Sequence, residues 1–337
     1  MPAYYKEFRC KADKCRNTCC SGWRIPVTRQ EYLSMVTLDC SEELDRKILN
    51  SFVEPEDISD ERFRYINFNW QGYCHLYEDG LCLLHKEMGD KCLPDVCRLY
   101  PRSLKNVNGY NIATCSSSCE KTVELLIEGR QSDVITLELD ETPRIFIEVD
   151  DRDINEIYLF QLIVQKNNLS LVRKLEDICT LVNRDEFVRD YNADITPLTV
   201  ALKALKGIPS SDYGFIDLAN KLIDRYENNP EYYEEDKVRF EEAYPEWMSF
   251  FERIINNSLM YDCFPFVDKR LDKTSAYKGL CACYGLLRLF SIGQLVFSTD
   301  RDDLVDAICL LFRNIEHSAF YYNINILCPN AAVLLKM

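Results

Sequence analysis

Cys10-Lys-Ala-Asp-Lys-Cys15-Arg-Asn-Thr-Cys19-Cys20-Ser-Gly-Trp23 places four thiols within eleven residues. Loops this irregular hold a fixed shape when several sulfurs are drawn to one centre, so the run reads as a metal module. Outward from it the pattern continues with Cys74-x7-Cys82, Cys92-x4-Cys97 and Cys115-x3-Cys119, and Cys40 lies between. Eleven of the 17 cysteines precede residue 120. An odd cysteine count, behind a start that carries no apolar leader (MPAYYKEFRCKADKC), does not read as a disulfide scaffold. The expectation is a reducing, cytoplasmic setting in which the clustered thiols bind metal. The six later ones, Cys179, Cys263, Cys281, Cys283, Cys309 and Cys328, are then buried apolar residues.

The spacing leaves the metal open between an iron–sulfur cluster and zinc. Structural zinc sites favour paired Cys-x2–4-Cys knuckles, often with histidine. Here the spacings are irregular, the sulfurs exceed one tetrahedral site, and the chain has three histidines. His85 lies three residues after Cys82 and is the histidine placed to ligate zinc, whereas His75, beside Cys74, reads as packing. Neighbouring side chains in extended chain face opposite ways, so Cys19 and Cys20 serve two centres, or one of them only packs. The Cys-x3-Cys-x2-Cys motif of radical S-adenosylmethionine enzymes is absent, because residue 22 is glycine.

Beyond the cysteines the chain reads as mainly α, with a small β-hairpin. The expected organisation is a cysteine-rich iron–sulfur or zinc module over 1–130, a hairpin connection over 131–152 and a helical domain over 153–337. The hairpin rests on the β-branched runs Val134–Leu139 and Arg144–Val149 flanking Asp140-Glu-Thr-Pro143. Ile157, Phe160, Ile163 and Val164 recur at helical spacing, as do Leu171, Leu175 and Ile178. Asn167-Asn168 and Pro209–Ser211 read as breaks, and Asn228–Asp236 as a polar loop leading into a helix. Gly279–Phe297 is apolar enough to suggest a membrane span, but Arg288 and Gln294 near its middle make it a buried helix. Thr299 with Asp302 reads as the cap of a helix over Asp303–Phe312. Trp23 and Trp70 read as core aromatics.

Formal charge is −15. Nucleic-acid binding draws on lysine and arginine releasing counterions from phosphates, and attraction to anionic membranes needs the same charge. Both partners are disfavoured, and a lysine-bearing protein surface fits better.

Phe8-Arg-Cys10, Cys15-x3-Cys19-Cys20-Ser-Gly-Trp23, Cys82, Cys97-x2-Tyr-Pro-Arg102 and Ser118-Cys119-Glu120 together resemble the flagellin lysine N-methylase family and its shorter zinc- or iron-chelating relatives. A fainter likeness runs through Phe251–Asn257, Cys263-Phe-Pro-Phe266 and Arg313-Asn-Ile-Glu-His317. The resemblance implies methyl transfer from S-adenosyl-L-methionine to lysine ε-amines of flagellin or a similar protein, by a chain carrying a [4Fe–4S] cluster. It implies ligands among Cys10, Cys15, Cys19, Cys20, Cys74, Cys82, Cys97 and Cys119, while Cys92 and Cys115 fall outside the family pattern.

Such a transfer needs a neutral amine in line with a sulfonium methyl, and a base or water chain to take the proton. The glycine-rich loop of Rossmann-like methylases is missing and β–α alternation is absent, so the cofactor site is of another kind. Arg313, Glu316 and His317 lie at helical spacing near an expected helix end. There Glu316 or His317 could act as base and Arg313 could hold a carboxylate; an ordinary exposed ion pair is the alternative. Arg98, Tyr100 and Arg102, beside Cys97, could bind the cofactor or tune the metal. Competing functional readings are a non-catalytic iron–sulfur or zinc protein that binds a partner, and a redox protein.

Overall fold

The computed structural model describes residues 1–129, 143, 145–164, 166, 168–191, 195–266 and 271–337, excepting the side chains of 151, 152, 161 and 183–191. These residues form two compact units. One comprises Arg9–Tyr100 with Ser211–Tyr213, and the other Met1–Phe8, Pro101–Ser210 and Gly214–Met337.

The smaller unit holds short elements threaded between cysteine loops. Strands β1 (Pro26–Val27), β2 (Phe52–Val53) and β3 (Arg64–Ile66) form an antiparallel sheet ordered β1-β3-β2, and β4 (Tyr77–Glu78) pairs with β5 (Leu81–Cys82). Helix α1 (Arg29–Val36) starts at a capping box: Glu31 N donates to Thr28 Oγ1 at 3.2 Å, and Thr28 N to Glu31 Oε2 at 2.8 Å. The other Glu31 oxygen accepts from Asp95 N at 2.7 Å, so one carboxylate also satisfies the first turn of a later helix. That helix, the last of α2 (Glu42–Leu49), α3 (Leu83–Met88) and α4 (Asp95–Leu99), carries Cys97. Ile25, Val27, Met35, Leu44, Ile48, Ile66, Leu76 and Leu84 make the apolar core, and the sulfurs of Cys20, Cys74, Cys82 and Cys97 pack against it.

The larger unit is a helical body with one small sheet. Strands β6 (Arg102–Val107) and β7 (Tyr110–Cys115) form an antiparallel hairpin, and β8 (Ile145–Ile147) joins β6 in parallel. The helices are α5 (Glu120–Glu128), α6 (Asp151–Val164), α7 (Leu171–Tyr191), α8 (Pro197–Gly207), α9 (Tyr213–Asn228), α10 (Glu231–Ala243), α11 (Trp247–Tyr261), α12 (Lys273–Phe297), α13 (Arg301–Glu316) and α14 (Ile324–Leu327). Every residue from Ser275 to Gly293 of α12 is buried, and α7, α8, α10 and α13 pack around it. The apolar helix is therefore the centre of a core. Arg288 is tolerated there because its guanidinium pairs with Glu241 at 2.9 Å and lies over the Trp247 ring, 4.0 Å from its centroid. The chain is mainly helical, and among the described residues the strands form small, mostly antiparallel sheets and not a parallel βαβ array, so the fold is not Rossmann-like.

Several expectations change in detail. The units meet in sequence at Tyr100–Pro101, because Met1–Phe8 and residues 101–129 pack into the helical body instead of joining the cysteine loops. Tyr5 and Phe8 bury themselves against Ala113 and Cys115 of β7, while α5 packs on α11 and α13. The expected hairpin partner, Val134–Leu139, lies outside the described residues, and β8 pairs with β6 instead. Asn228–Asp236 is not a long loop: α9 runs to Asn228 and α10 begins at Glu231. The cap of α13 is Asp300, whose carboxylate accepts from Asp302 N at 2.9 Å, so the helix starts two residues earlier than Asp303. Trp23 is partly buried against Tyr100, with ring centroids 5.6 Å apart, but Trp70 is 88% exposed. Asn69 Oδ1 accepts from the N–H groups of Gln71 and Tyr73, and this turn leaves Trp70 on its outer side.

Candidate active site and thiol cluster

In the helical body, three chain segments bring polar groups to one place. The first is Ser116-Ser-Ser118, the turn between β7 and α5, which must leave the strand and start a helix within a few residues. The second is the C-terminal end of α11, carrying Asn257, Tyr261 and Asp262. The third is the end of α13, where Arg313 and Glu316 lie one turn apart and His317 follows as the C-cap.

Ser116 Oγ donates to Glu316 Oε2 and also meets Ser118 Oγ. Ser117 N donates to Glu316 Oε1 at 3.2 Å. Ser118 Oγ lies 2.8 Å from His317 Nε2, and Tyr261 shares a hydrogen bond with Ser116. Asn257, 2% exposed, pins the turn from beneath: its Nδ2 donates to Cys115 O and Ser117 Oγ, both at 2.9 Å. Its Oδ1 accepts from Thr114 Oγ1 at 2.5 Å and from the Tyr4 hydroxyl. On the far side, Tyr321 Oη donates to Asp262 Oδ2 at 2.8 Å, and Lys105 Nζ donates to Tyr261 O.

Burial dominates the charges. It pushes the Glu316 carboxyl up to about 8, with Asp262 adding to the rise and the serine hydroxyl and N–H donors opposing it. Asp262 is pushed up to about 6 by burial, held back by Lys105 and Tyr321. His317 is lowered to about 4, first by burial and then by the Arg313 charge, so its ring is neutral at physiological pH. The site thus offers a carboxyl that exchanges its proton near neutrality beside a neutral imidazole. That pairing suits moving a proton to or from a cationic amine.

The cysteine-rich unit carries a second feature. Burial raises Cys74 to about 12, Cys82 to about 11 and Cys97 well above its usual value, and the Cys20 thiolate adds to the rise of all three. Leu76 N donates to Cys74 Sγ at 3.4 Å, a Tyr77 N–H also reaches it, and N–H groups of Leu84 and His85 reach Cys82. Four sulfurs from four chain segments, with backbone donors aimed at them, are the surroundings that a thiolate-held metal centre uses. The donor set fits an iron–sulfur cluster or zinc. Among the described residues, no three donors stand around one point at metal-bonding separation.

Cys19 and Cys20 lie in a turn, so the extended-chain rule does not separate them: their thiols hydrogen-bond, which lowers Cys20 to about 7. Cys15 lies within electrostatic reach of Tyr77, as Cys20 does. Cys10 is exposed, with Ala12 N donating to its sulfur at 3.4 Å, and Cys119 belongs to the helical unit as the N-cap of α5. Cys40 and Cys92 pack against the small core, and Cys115 is fully buried at the end of β7. The His85 side chain is exposed, and only its backbone N–H turns toward Cys82.

Arg98 pairs with Asp95 at 2.7 Å and Tyr100 stacks on Trp23, both in the cysteine-rich unit. Arg102 is in the helical unit, over the rings of Tyr5 and Phe8, donating to Phe8 O at 3.2 Å. Sequence reasoning missed Ser116, Ser117, Asn257, Tyr261, Asp262 and Tyr321. The one local signal was the serine run leaving a β-branched segment for Cys119-Glu120.

The family model of the FliB lysine N-methylase C-terminal domain matches residues 158–327. This chain belongs to the FliB lysine N-methylase family. The matched stretch of the FliB domain includes Asn257, Asp262, Glu316, His317 and Tyr321, and so most of the polar network. Among similar proteins are the lysine-N-methylases of Salmonella typhimurium strain LT2 and Salmonella choleraesuis strain SC-B67. Each is 29% identical over 107 residues, which is 30% of this chain and 25% of the relative. The match to these FliB-family relatives thus spans about a quarter of their length. No solved structure matches the chain.

Proposed function

We propose that the protein N-methylates lysine side chains of flagellin or a similar lysine-bearing protein in the cytoplasm. S-adenosyl-L-methionine would be the methyl donor, and the cysteine-rich unit would carry a [4Fe–4S] cluster, with zinc as the alternative metal. The observation that carries the reading is the Glu316 carboxyl, pushed up to about 8 by burial and set among hydroxyls and a neutral His317 inside the family-matched stretch.

A lysine substrate arrives as an ammonium and must lose a proton before its nitrogen can attack. Glu316, when ionised, takes that proton; its proton affinity near the working pH is what a general base needs. The serine N–H and hydroxyl donors fix the carboxyl's direction, and Ser118 fixes the His317 ring. The methyl donor supplies an electrophilic methyl on a sulfonium: the S–CH3 bond breaks as N–CH3 forms, leaving the neutral thioether. Arg313, 5% exposed beside His317, would hold the donor's carboxylate. Cys20, Cys74, Cys82 and Cys97 are the first choice of metal ligands. A cluster there would supply redox-active or Lewis-acidic iron.

Glu316→Gln tests the base. It should lower kcat by about 10²-fold or more with KM little changed. A variant as fast as the native protein across pH 6–9 would remove Glu316 from the reaction.

A further inference from the structure

The polar side chains beside Glu316 do more than fix its direction: they stand in a row. Ser116 Oγ donates to Glu316 Oε2, and Ser116 Oγ and Ser118 Oγ are themselves hydrogen-bonded. Ser118 Oγ lies 2.8 Å from His317 Nε2. The row Glu316–Ser116–Ser118–His317 is therefore continuous, and each member both gives and takes protons. Water is kept from its middle, because Ser116 is 1% exposed and Ser118 fully buried, whereas His317 at the far end is partly exposed. The turn holds the two hydroxyls in place. Ser118 N donates to Ser116 Oγ at 3.2 Å, and Asn257 Nδ2 holds the residue between them through Ser117 Oγ at 2.9 Å. Orienting the Glu316 carboxylate needs the Ser117 N–H and one hydroxyl; the second hydroxyl and the imidazole extend the row away from it.

We propose that Ser116, Ser118 and His317 form a proton relay that carries the proton taken up by Glu316 out of the site to water. The steps balance. Glu316 receives a proton, and its O–H passes that proton to Ser116 Oγ as Ser116 gives its own to Ser118 Oγ. Ser118 gives its own to His317 Nε2, and the ring releases the proton on Nδ1 to water. One proton leaves, Glu316 is again a carboxylate, and both hydroxyls point back along the row. Rotation of the two hydroxyls and a tautomer shift of the ring reset it. Burial, and then the Arg313 charge, weaken the hold of His317 on a proton, so the ring passes it on and does not keep it. That the proton comes from a substrate ammonium rests on the lysine-methylase reading; the relay itself does not.

The experiment is a pH jump on the full-length protein without substrate. The carboxyl infrared band of Glu316 is followed in time with labelled glutamate and assigned by its loss in Glu316→Gln. Ser118→Ala removes the middle hydroxyl and keeps the backbone N–H, and His317→Gln puts an amide in place of the ring. Each should slow the exchange of the Glu316 proton with water at least about tenfold. The titration midpoint should stay within about 0.3 unit of the native value. If one variant does not fold, the other decides. A smaller slowing in a folded variant, or a slowing tied to a displaced midpoint, would overturn the relay. Label transfer to lysine is assayed in parallel. Native protein that labels no lysine, while both variants slow the exchange, would sink the lysine-methylase reading and leave the relay standing. Labelled lysines with exchange as fast as native in both variants would do the reverse.

Discussion

Replacing Asn257 with alanine tests whether the site is assembled as described. Asn257 makes four hydrogen bonds, but they are not equally exposed to the loss. The Tyr4 hydroxyl keeps Thr114 Oγ1 at 3.2 Å and the Cys115 N–H at 3.1 Å, so both hydroxyls that donate to Asn257 Oδ1 retain a partner. The Ser117 hydroxyl loses its donor and the Cys115 carbonyl loses the nearer of two, both 2.9 Å from Nδ2, at a position where little water reaches; the carbonyl keeps the Tyr4 hydroxyl at 3.5 Å. A buried polar group left without a partner costs about 1–3 kcal/mol. One such group, one weakened acceptor and the small cavity left by the shortened side chain give about 2–4 kcal/mol. At roughly 2–4 °C per kcal/mol this lowers the melting temperature of the helical body by about 4–16 °C. Differential scanning fluorimetry with urea unfolding measures it, and Tyr4→Phe, which takes the acceptor from the buried Cys115 N–H, should cost about 1–3 kcal/mol. Asn257→Ala melting within 2 °C of the native protein would refute the clamp, and with it the fixed placement of the serine turn.

Stability against pH gives a second check. Glu316 binds its proton more tightly folded than unfolded, so its contribution is present below pH 4.5 and is lost as pH rises to about 8; His317, lowered to about 4, acts oppositely between about 4 and 6.5. Between pH 6.5 and 8 the native protein should therefore lose on the order of 1 kcal/mol relative to Glu316→Gln, and parallel urea-stability curves for the two would contradict the burial of that carboxyl. Cys97→Ala and Cys20→Ala should each lose most bound metal and destabilise Arg9–Tyr100, as read by metal analysis and limited proteolysis; full metal content and unchanged protection in both would exclude them as ligands. Cys283→Ser, in the core of α12, should keep the metal and lower the melting temperature by a few degrees, and loss of iron or zinc on that change would place a ligand in the helical body.

Helix content, the break at Pro209–Ser211 and the burial of Gly279–Phe297 as far as Gly293 were legible because apolar periodicity and a lone central arginine are local signals. Arg313, Glu316 and His317 stood out for the same reason, as charged residues closing an apolar helix. Their surroundings were not legible. Ser116, Asp262 and Tyr321 are far apart in sequence, and only the packing of α11 and α13 beside the β7–α5 turn brings them together. Trp70 shows the opposite failure: composition made it a core residue, but the Asn69 turn directs it outward. Cysteine density runs on to residue 119, but the unit boundary falls at Tyr100–Pro101 because β7 packs on α11 and carries residues 101–115 into the helical body. Adjacent Cys19 and Cys20 misled because the alternation rule holds for extended chain and they occupy a turn.

The most direct measurement is label transfer from methyl-labelled S-adenosyl-L-methionine to the lysines of purified flagellin. It compares anaerobically purified protein reconstituted with iron and sulfide, the folded protein without metal, and Glu316→Gln. The account expects absorption near 400 nm and labelled lysines from the reconstituted native protein. Label should fall about 10²-fold with Glu316→Gln and be absent without the metal. Reconstituted protein that neither binds the methyl donor nor labels any lysine would contradict the account and leave a chelating or redox protein in its place.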